Sequence, residues 1–289
     1  MKKFYFIFVL AALLFCGCKT NHIIYEGPEY IAFAEKQTVC PVQQNGTPFS
    51  IMISSTRACD YDRTIGVEVL SMKSNAVYGY HYRLESQTVT IPAGELAASV
   101  NIIGNYERIA PTDSLSLTLK LVAPEDTNWP LLGQETQVLL KKTCPFDIYN
   151  FEGYCLVASD YLIDFAVSPT GDRLVKSEVY DADRNIIRLK DFYYEGYDVL
   201  MQFDVSDILH PRIKMLEEQM IADTRLAFNM IYGDCRLLGD DYDASQNTLD
   251  VCQKYATQMF MIRVDEVGVV GNYENQMEWL TEEEARDYI

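Results

Sequence analysis

The chain has 289 residues, 42 Asp and Glu against 24 Lys and Arg for a formal net charge of −18, and 48% hydrophobic residues. That apolar content supports a sizeable core and excludes global disorder. So acidic a balance, concentrated in one half, argues against nucleic-acid or anionic-lipid binding, because phosphate contact needs clustered Lys and Arg. The charge is unevenly shared: residues 144–289 hold 29 acids and 12 bases, a balance of −17, which reads as a solvated face of that half.

Met1-Lys2-Lys3 is followed by an uncharged run from Phe4 to Phe15. A basic start and an apolar stretch of this length form a secretory signal, too short to span a bilayer as a mature helix. "FCGC", residues 15–18, resembles the bacterial lipobox, in which a small residue precedes a cysteine that is lipidated and becomes the new N-terminus. Gly17 is that small residue, so the resemblance implies loss of 1–17, acylation of Cys18 and stable anchoring through several acyl chains. Lys19, rather than Asp, follows the anchor; by the same resemblance the destination is the outer membrane, with the periplasmic or cell-surface face left open. Residues 18–28 read as a tether of about 35 Å when extended.

From Tyr30 to Leu140 the residues alternate with period two in short runs broken by turn residues. In "SLSLTLKLV", Leu115, Leu117, Leu119 and Leu121 share a face opposite Ser116, Thr118 and Lys120. Comparable faces appear in Phe49, Ile51 and Ile53, in Ile65, Val67 and Val69, and in Val89 and Ile91. About seven or eight such strands, with no helical period beyond two turns, predict an antiparallel sandwich over 29–143. "PAGE", 92–95, is a turn in which Pro92 presets one torsion and Gly94 supplies a positive one. "CDYDRT", 59–64, places Asp60 and Asp62 at alternate positions, the pattern of a self-bonded turn more than of a cation site.

"AVYGYHYRLESQTVTIPAGELAASVNIIG", 76–104, resembles the Calx-beta and related Ig-like sandwiches: Gly79, Tyr82, Val89, Ile91 and the "PAGE" turn all match. The resemblance implies an Ig-like fold. It does not carry over calcium, because His81 stands where the family's aspartate usually precedes the tyrosine, and "NYERIAPTD" lacks a close acidic pair. "DSL", 113–115, resembles a short O-glycosylation signal of Bacteroidetes envelope proteins.

The charge break at Lys141-Lys142-Thr143-Cys144-Pro145 predicts a boundary, with a second, acidic unit over 144–289. New strands start near "NFEGYCLVASDYLIDFAVSP". Val199, Met201, Phe203 and Val205 form one face, and Phe260, Ile262 and Val264 another. Turn chemistry falls at 169–172, 181–185 and 239–247. Residues 211–223 satisfy helical spacing through Ile213, Leu216 and Met220, yet their alternating neighbours favour strand. "TEEE", 281–284, is either a capped helical turn or a solvated tail. About eight antiparallel strands are expected, closed into a barrel or folded as a sandwich, so the whole chain is predicted all-β.

Six cysteines remain beyond the anchor: 40, 59, 144, 155, 235 and 252. An oxidising envelope permits disulfides, and Cys235 and Cys252 could face each other across a hairpin, although buried thiols are an equal alternative. Neither His22, His81 nor His210 has a second ligand at metal spacing, so no metal and no cofactor is expected. No nucleophile elbow, phosphate loop or dinucleotide fingerprint occurs, and "GDDYDASQNTLD" lacks the glycine and glutamate of a calcium loop. A cysteine nucleophile would need His81 or His210 brought to it by the fold. Paired carboxylates for glycoside hydrolysis are a property of the fold, which acid abundance does not reveal. No catalytic residue is assigned, and a non-enzymatic protein is expected.

"DFYYEGYD", 191–198, sets Phe192, Tyr193, Tyr194 and Tyr197 among Asp191, Glu195 and Asp198. Tyrosine offers a flat apolar face with a polar tip, suited to stacking on a sugar while Asp191 and Asp198 accept hydroxyl protons. The alternative is an edge strand with Phe192 and Tyr194 inward and Tyr193 outward. The pairing of the sandwich with "NFEGYCLV…SDYL" resembles Bacteroidetes two-domain lipoproteins of unknown function, some relatives of which are glycan binders beside outer-membrane uptake transporters. What the resemblance implies is a membrane-anchored accessory that binds a glycan or another nutrient and partners transporter components. A structural, adhesive or fimbrial component and an unrecognised hydrolase are the alternatives.

Overall fold

A computed structural model describes residues 27–122, 127, 133–165, 167–228 and 235–288. The expected signal peptide, Cys18, His22 and most of the tether lie outside the described residues.

The first half of the chain contributes β1 (Ile31–Phe33), β2 (Gln37–Gln43), β3 (Phe49–Ser55), β4 (Arg63–Val69), β5 (Tyr82–Leu84), β6 (Thr88–Ile91), β7 (Ala97–Gly104), β8 (Leu115–Val122) and β9 (Glu135–Thr143). They form a four-stranded sheet, β1-β3-β7-β5, facing a five-stranded one, β2-β9-β8-β4-β6. Alternation drives this arrangement. In β8, Leu117, Leu119 and Leu121 are buried while Lys120 is exposed, and Ile51, Ile53, Ile65, Val67, Val89 and Ile91 join the same core between the sheets. Among the described residues nine strands appear where seven or eight were expected, because β1 and β5 have three residues each, too short to show a period. The "PAGE" turn forms as expected: Gly94 has φ 82° and Glu95 N donates to Pro92 O at 3.0 Å. Asp62 is committed to holding that turn, its Oδ1 accepting from Ala93 N at 2.8 Å.

All pairings in these sheets are antiparallel except β2 with β9, which run parallel in register from Gln37↔Gln137 to Gln43↔Thr143. The two strands therefore start at one pole of the sandwich and finish at the other. The starting pole holds Arg63, 6% exposed. Its Nη1 donates to Glu29 Oε1 at 2.6 Å, Ser55 Oγ at 2.8 Å and Arg57 O at 2.7 Å, and its Nη2 donates to Glu95 O at 2.5 Å. This fastens the segment at Glu29 to the sandwich. The finishing pole carries Gln43 and Thr143 and leads directly into the second half.

There, β10 (Gly153–Ala158), β11 (Asp172–Asp181), β12 (Ile186–Lys190), β13 (Val199–Asp204), β14 (Arg212–Met215), β15 (Gln219–Asp223), β16 (Arg236–Asp241), β17 (Thr248–Asp250), β18 (Tyr255–Val264) and β19 (Gly268–Leu280) make one antiparallel sheet. Its order is β14-β13-β12-β11-β10-β19-β18-β16-β15, with β17 on β18. The sheet curls so that β14 returns to the far end: Leu249 N donates to Pro211 O at 3.0 Å and Met215 N to Asp241 Oδ2 at 2.9 Å. Asp241 Oδ1 also accepts from Asn247 Nδ2 at 3.0 Å and from Gln258 Nε2, so one carboxylate stitches the seam. Phe151, Phe203, Phe260 and Trp279 fill the interior, a core separate from that of the sandwich.

Residues 212–215 and 219–223 are strands, as the alternating neighbours predicted, with Glu217 at φ 62° turning the chain between them. "DYLID" departs from the expected strand run. Ser159 caps α1 (Asp160–Asp164), accepting from Tyr161 N, and this turn buries Tyr161 and Leu162 in the core. A second short helix, α2 (Thr224–Phe228), follows β15. At the end of the chain, Thr281 and Glu284 form a reciprocal capping box on α3 (Glu282–Ala285), so "TEEE" is a capped turn. Among the described residues, no helix is long and apolar enough to cross a membrane.

Candidate ligand-binding cleft

The aromatic stretch 191–198 is not the sugar-stacking surface its composition suggested. It is the connection between β12 and β13, folded back onto the curled sheet. Asp191 takes φ 52°, its Oδ1 accepts from Gly196 N at 2.6 Å, and its own N donates to Asp198 Oδ1 at 3.1 Å. Tyr193 is fully buried, stacked on Tyr161 at 4.5 Å between centroids, and its hydroxyl donates to Asn275 Oδ1. Burial raises the Tyr193 hydroxyl far above the usual phenol range. Tyr194 is half-buried with its hydroxyl 3.2 Å from that of Tyr161, and the Tyr197 hydroxyl donates to Asp223 Oδ2 at 3.4 Å. No sugar ring can reach Tyr193, and Asp191 and Asp198 hold their own loop. The edge-strand alternative fails too, since Phe192 and Tyr193 are both buried.

The proposed Cys235–Cys252 bridge is likewise corrected. Cys252 is bonded to Cys144, with 5.2 Å between Cα atoms, and Cys235 keeps its thiol. Cys252 sits in the turn before β18 and Cys235 beyond its far end. Ten residues of strand, about 33 Å, hold them apart. His81 and His210 are no closer to a metal role: His81 Nδ1 accepts from Val77 N at 2.9 Å, and His210 Nδ1 lies 3.0 Å from Asp207 Oδ2. Among the described residues, no cluster of three or more His, Cys, Asp or Glu could hold a metal ion.

The Cys144–Cys252 bridge forms one wall of a cleft of about 540 Å³ where the sandwich meets the curled sheet. That volume falls in the usual range for small-molecule sites, which favour such junctions. Five chain segments converge on it. The finishing pole of the sandwich supplies Gln43, Gln44 and Asn45; Pro111 comes from the β7–β8 connection; the end of β9 and its exit supply Lys141 to Phe146; Val205, Ile208 and Pro211 come from the β13–β14 connection; Leu249 to Cys252 close the ring. Pro145 ends β9 by removing a donor, and Gly46, at φ 68°, turns the chain after Gln43.

The floor is apolar. Phe146 packs on Phe151 and Phe203 at 5.6 and 5.5 Å, and Ile208 is 46% exposed beside it. The rim is polar and largely uncommitted, for the side-chain amides of Gln43 and Gln44 have no protein partner among the described residues. Asn45 Oδ1 accepts from Thr47 N and Oγ1 at 3.1 and 2.7 Å, leaving its NH₂ without a partner there. Asp250 is spent, each of its oxygens accepting from Gln253, at 2.9 and 2.7 Å. Lys141 Nζ donates to Leu209 O at 2.7 Å, tying the two halves together. Lys142 Nζ lies over the Tyr106 ring, 4.0 Å from its centroid, and the Tyr106 hydroxyl donates to Cys144 Sγ at 3.3 Å.

A smaller hollow of about 360 Å³ shares Gln43 and Gln44 and continues along the sandwich past Tyr80, Arg83, Asn105 and Tyr106. Tyr80 is 49% exposed, with the Arg108 guanidinium 5.1 Å from its ring centroid. Asn105 fixes the tyrosine loop from below: its N donates to His81 O at 2.8 Å and its Nδ2 to Tyr80 O at 3.1 Å. Sequence reasoning missed this surface. Its signals were Cys144, Cys252 and the Lys141-Lys142 pair, read as a boundary rather than as a wall.

Residues 131–288 match a domain of unknown function, DUF4984. The chain belongs to the DUF4984 family. The match spans the cleft's second-half wall, from the end of β9 through Cys252, whereas Gln43, Tyr80 and Arg108 precede it. Among solved structures, a protein of unknown function from Bacteroides ovatus is 13% identical, with a TM-score of 0.36, and covers 86% of this chain and 89% of its own. A second unknown-function protein from the same organism is 14% identical, with a TM-score of 0.33 and coverage of 86% and 93%. The apo form of the Calx CBD1 domain is 11% identical, with a TM-score of 0.33, and covers 40% of this chain and 98% of its own. These TM-scores are too low to carry an argument about the cleft. No curated protein matches the chain.

Proposed function

We propose that this DUF4984 protein is a non-enzymatic, lipid-anchored envelope protein whose junction cleft holds a glycan or a similar polar nutrient for a neighbouring uptake system. The observation that carries this reading is the cleft itself: an apolar floor beneath the uncommitted amides of Gln43, Gln44 and Asn45, continuous with the exposed ring of Tyr80. A sugar has apolar C–H faces and a ring of hydroxyls, and such a surface offers a partner to each. Asp250, the cleft's one carboxylate among the described residues, is already engaged, which favours holding a ligand over paired-carboxylate hydrolysis. The geometry also suits an anchor at Cys18. Glu29 is fastened at the pole of the sandwich where β2 and β9 start, and the cleft lies where they finish.

Calorimetric titration of the full-length protein with a panel of oligosaccharides tests the reading. At least one should bind, and Gln43→Ala with Gln44→Ala should weaken it tenfold or more without lowering the melting temperature. A panel in which nothing binds would remove the proposal. Intact mass of protein taken from the envelope tests the anchor, which predicts residues 1–17 absent and acyl mass on Cys18.

A further inference from the structure

The chain is strongly acidic, yet the surface around its cleft is not. Lys141 and Lys142 line the cleft and Arg83 the hollow, against two lining carboxylates among the described residues, Asp250 and Glu107, and Arg108 lies over the ring of Tyr80, which borders the hollow. Asp250 is committed to Gln253. Elsewhere some cations meet acids, Arg63 pairing with Glu29, Lys73 with Glu135, Arg236 with Asp265 and Arg263 with Glu218, while others such as Lys36 and Lys120 do not among the described residues. Lys142, Arg83 and Arg108 form no ion pair among the described residues.

Two of these cations are held on tyrosine faces, as is Arg188 on Tyr180, which unlike them also lies beside a carboxylate, Asp198. Lys142 sits on the face of Tyr106 and Arg108 on the face of Tyr80, and both tyrosines border the hollow that shares Gln43 and Gln44 with the cleft. A tyrosine face positions a cation without neutralising it or consuming its N–H donors. A carboxylate at the same place would do both. Leaving two positive groups so placed, in a chain of net charge −18, is explained by a ligand that brings the negative charge itself.

Building on the glycan reading, we infer that the ligand is an anionic oligosaccharide, its acidic groups met by Lys142 and Arg108 and its neutral hydroxyls by the amides of Gln43 and Gln44. The shared chemistry is a sugar chain bearing carboxylate or sulfate groups.

The test titrates the full-length protein with three probes of matched length: a neutral gluco-oligosaccharide, a galacturonate oligomer and a sulfated galactan oligomer. One or both acidic probes should bind at least tenfold more tightly than the neutral one, and which of them does so identifies carboxylate or sulfate as the source of charge. Lys142→Gln with Arg108→Gln should abolish that preference, while Lys142→Arg should retain it. Melting temperatures of the variants report whether the fold survives. Lys142→Arg and the single Arg108→Gln variant, on an exposed position, keep the test valid if the double variant unfolds. Equal affinity for acidic and neutral probes overturns this inference and leaves the glycan reading standing. A preference that persists in the folded double variant also overturns it. Absence of binding by all three overturns both.

Discussion

Arg63 shows what a single buried charge does in this fold. It is 6% exposed, donates to four oxygens, and holds Glu29, itself 16% exposed, against the sandwich. Removing it leaves a carboxylate without its partner in a mostly buried place, so Arg63→Ala should cost about 3–5 kcal/mol in urea unfolding. Burial raises the Glu29 carboxyl, but the hydrogen bonds from Arg63 and Ser55 and the Arg63 charge outweigh it and hold the folded carboxyl below the usual glutamate range. A carboxylate depressed on folding stabilises above its unfolded value and loses that contribution as pH falls through the folded one. The stability gap between wild type and Glu29→Gln should therefore be fully present near neutrality and shrink below pH 4.5, measured by urea melts at each pH. Tyr193 is a residue of the opposite kind, whose hydroxyl serves the interior alone. Tyr193→Phe should cost about 1–3 kcal/mol by stranding Asn275, which is fully buried. Oligosaccharide affinity should not move.

At the scale of elements, the Cys144–Cys252 bridge ties the exit of β9 to the β17–β18 turn across a sequence separation of 108 residues. Chain entropy gives a loop of that length a stabilisation of about 4–5 kcal/mol, so Cys252→Ser should lose most of it and loosen the cleft wall, seen as weaker ligand binding. Cys235→Ser leaves the bridge intact and should change stability far less. The seam carboxylate is also testable. Asp241→Asn puts an NH₂ group among three donors, from Met215, Asn247 and Gln258, and should cost about 1–3 kcal/mol in the same melts. Strands were the legible part of this chain. Leu117, Leu119 and Leu121 announce their core face because the period of a half-buried strand is local. So is the capping box at Thr281, which needs only four consecutive residues. The disulfide was not legible, since which end of β18 a cysteine reaches depends on strand register. Nor was the fate of Tyr193, because a connection that folds back over a curled sheet buries residues by tertiary contact and not by alternation. The cleft is the extreme case, its lining drawn from five segments scattered between Gln43 and Cys252.

Taken whole, the molecule puts its first described segment and its cleft at opposite ends of a sandwich, with β2 and β9 running between them. Their pairing bears on mechanics. With the N-terminus held at a membrane and a bulky ligand dragged by flow, the load would enter near Glu29 and leave through Gln43 and Lys142. Tension would then pull β2 backward and β9 forward along parallel lines. Seven residue pairs would share that stress in shear and would have to rupture together, whereas an antiparallel hairpin loaded at its open end unzips one rung after another.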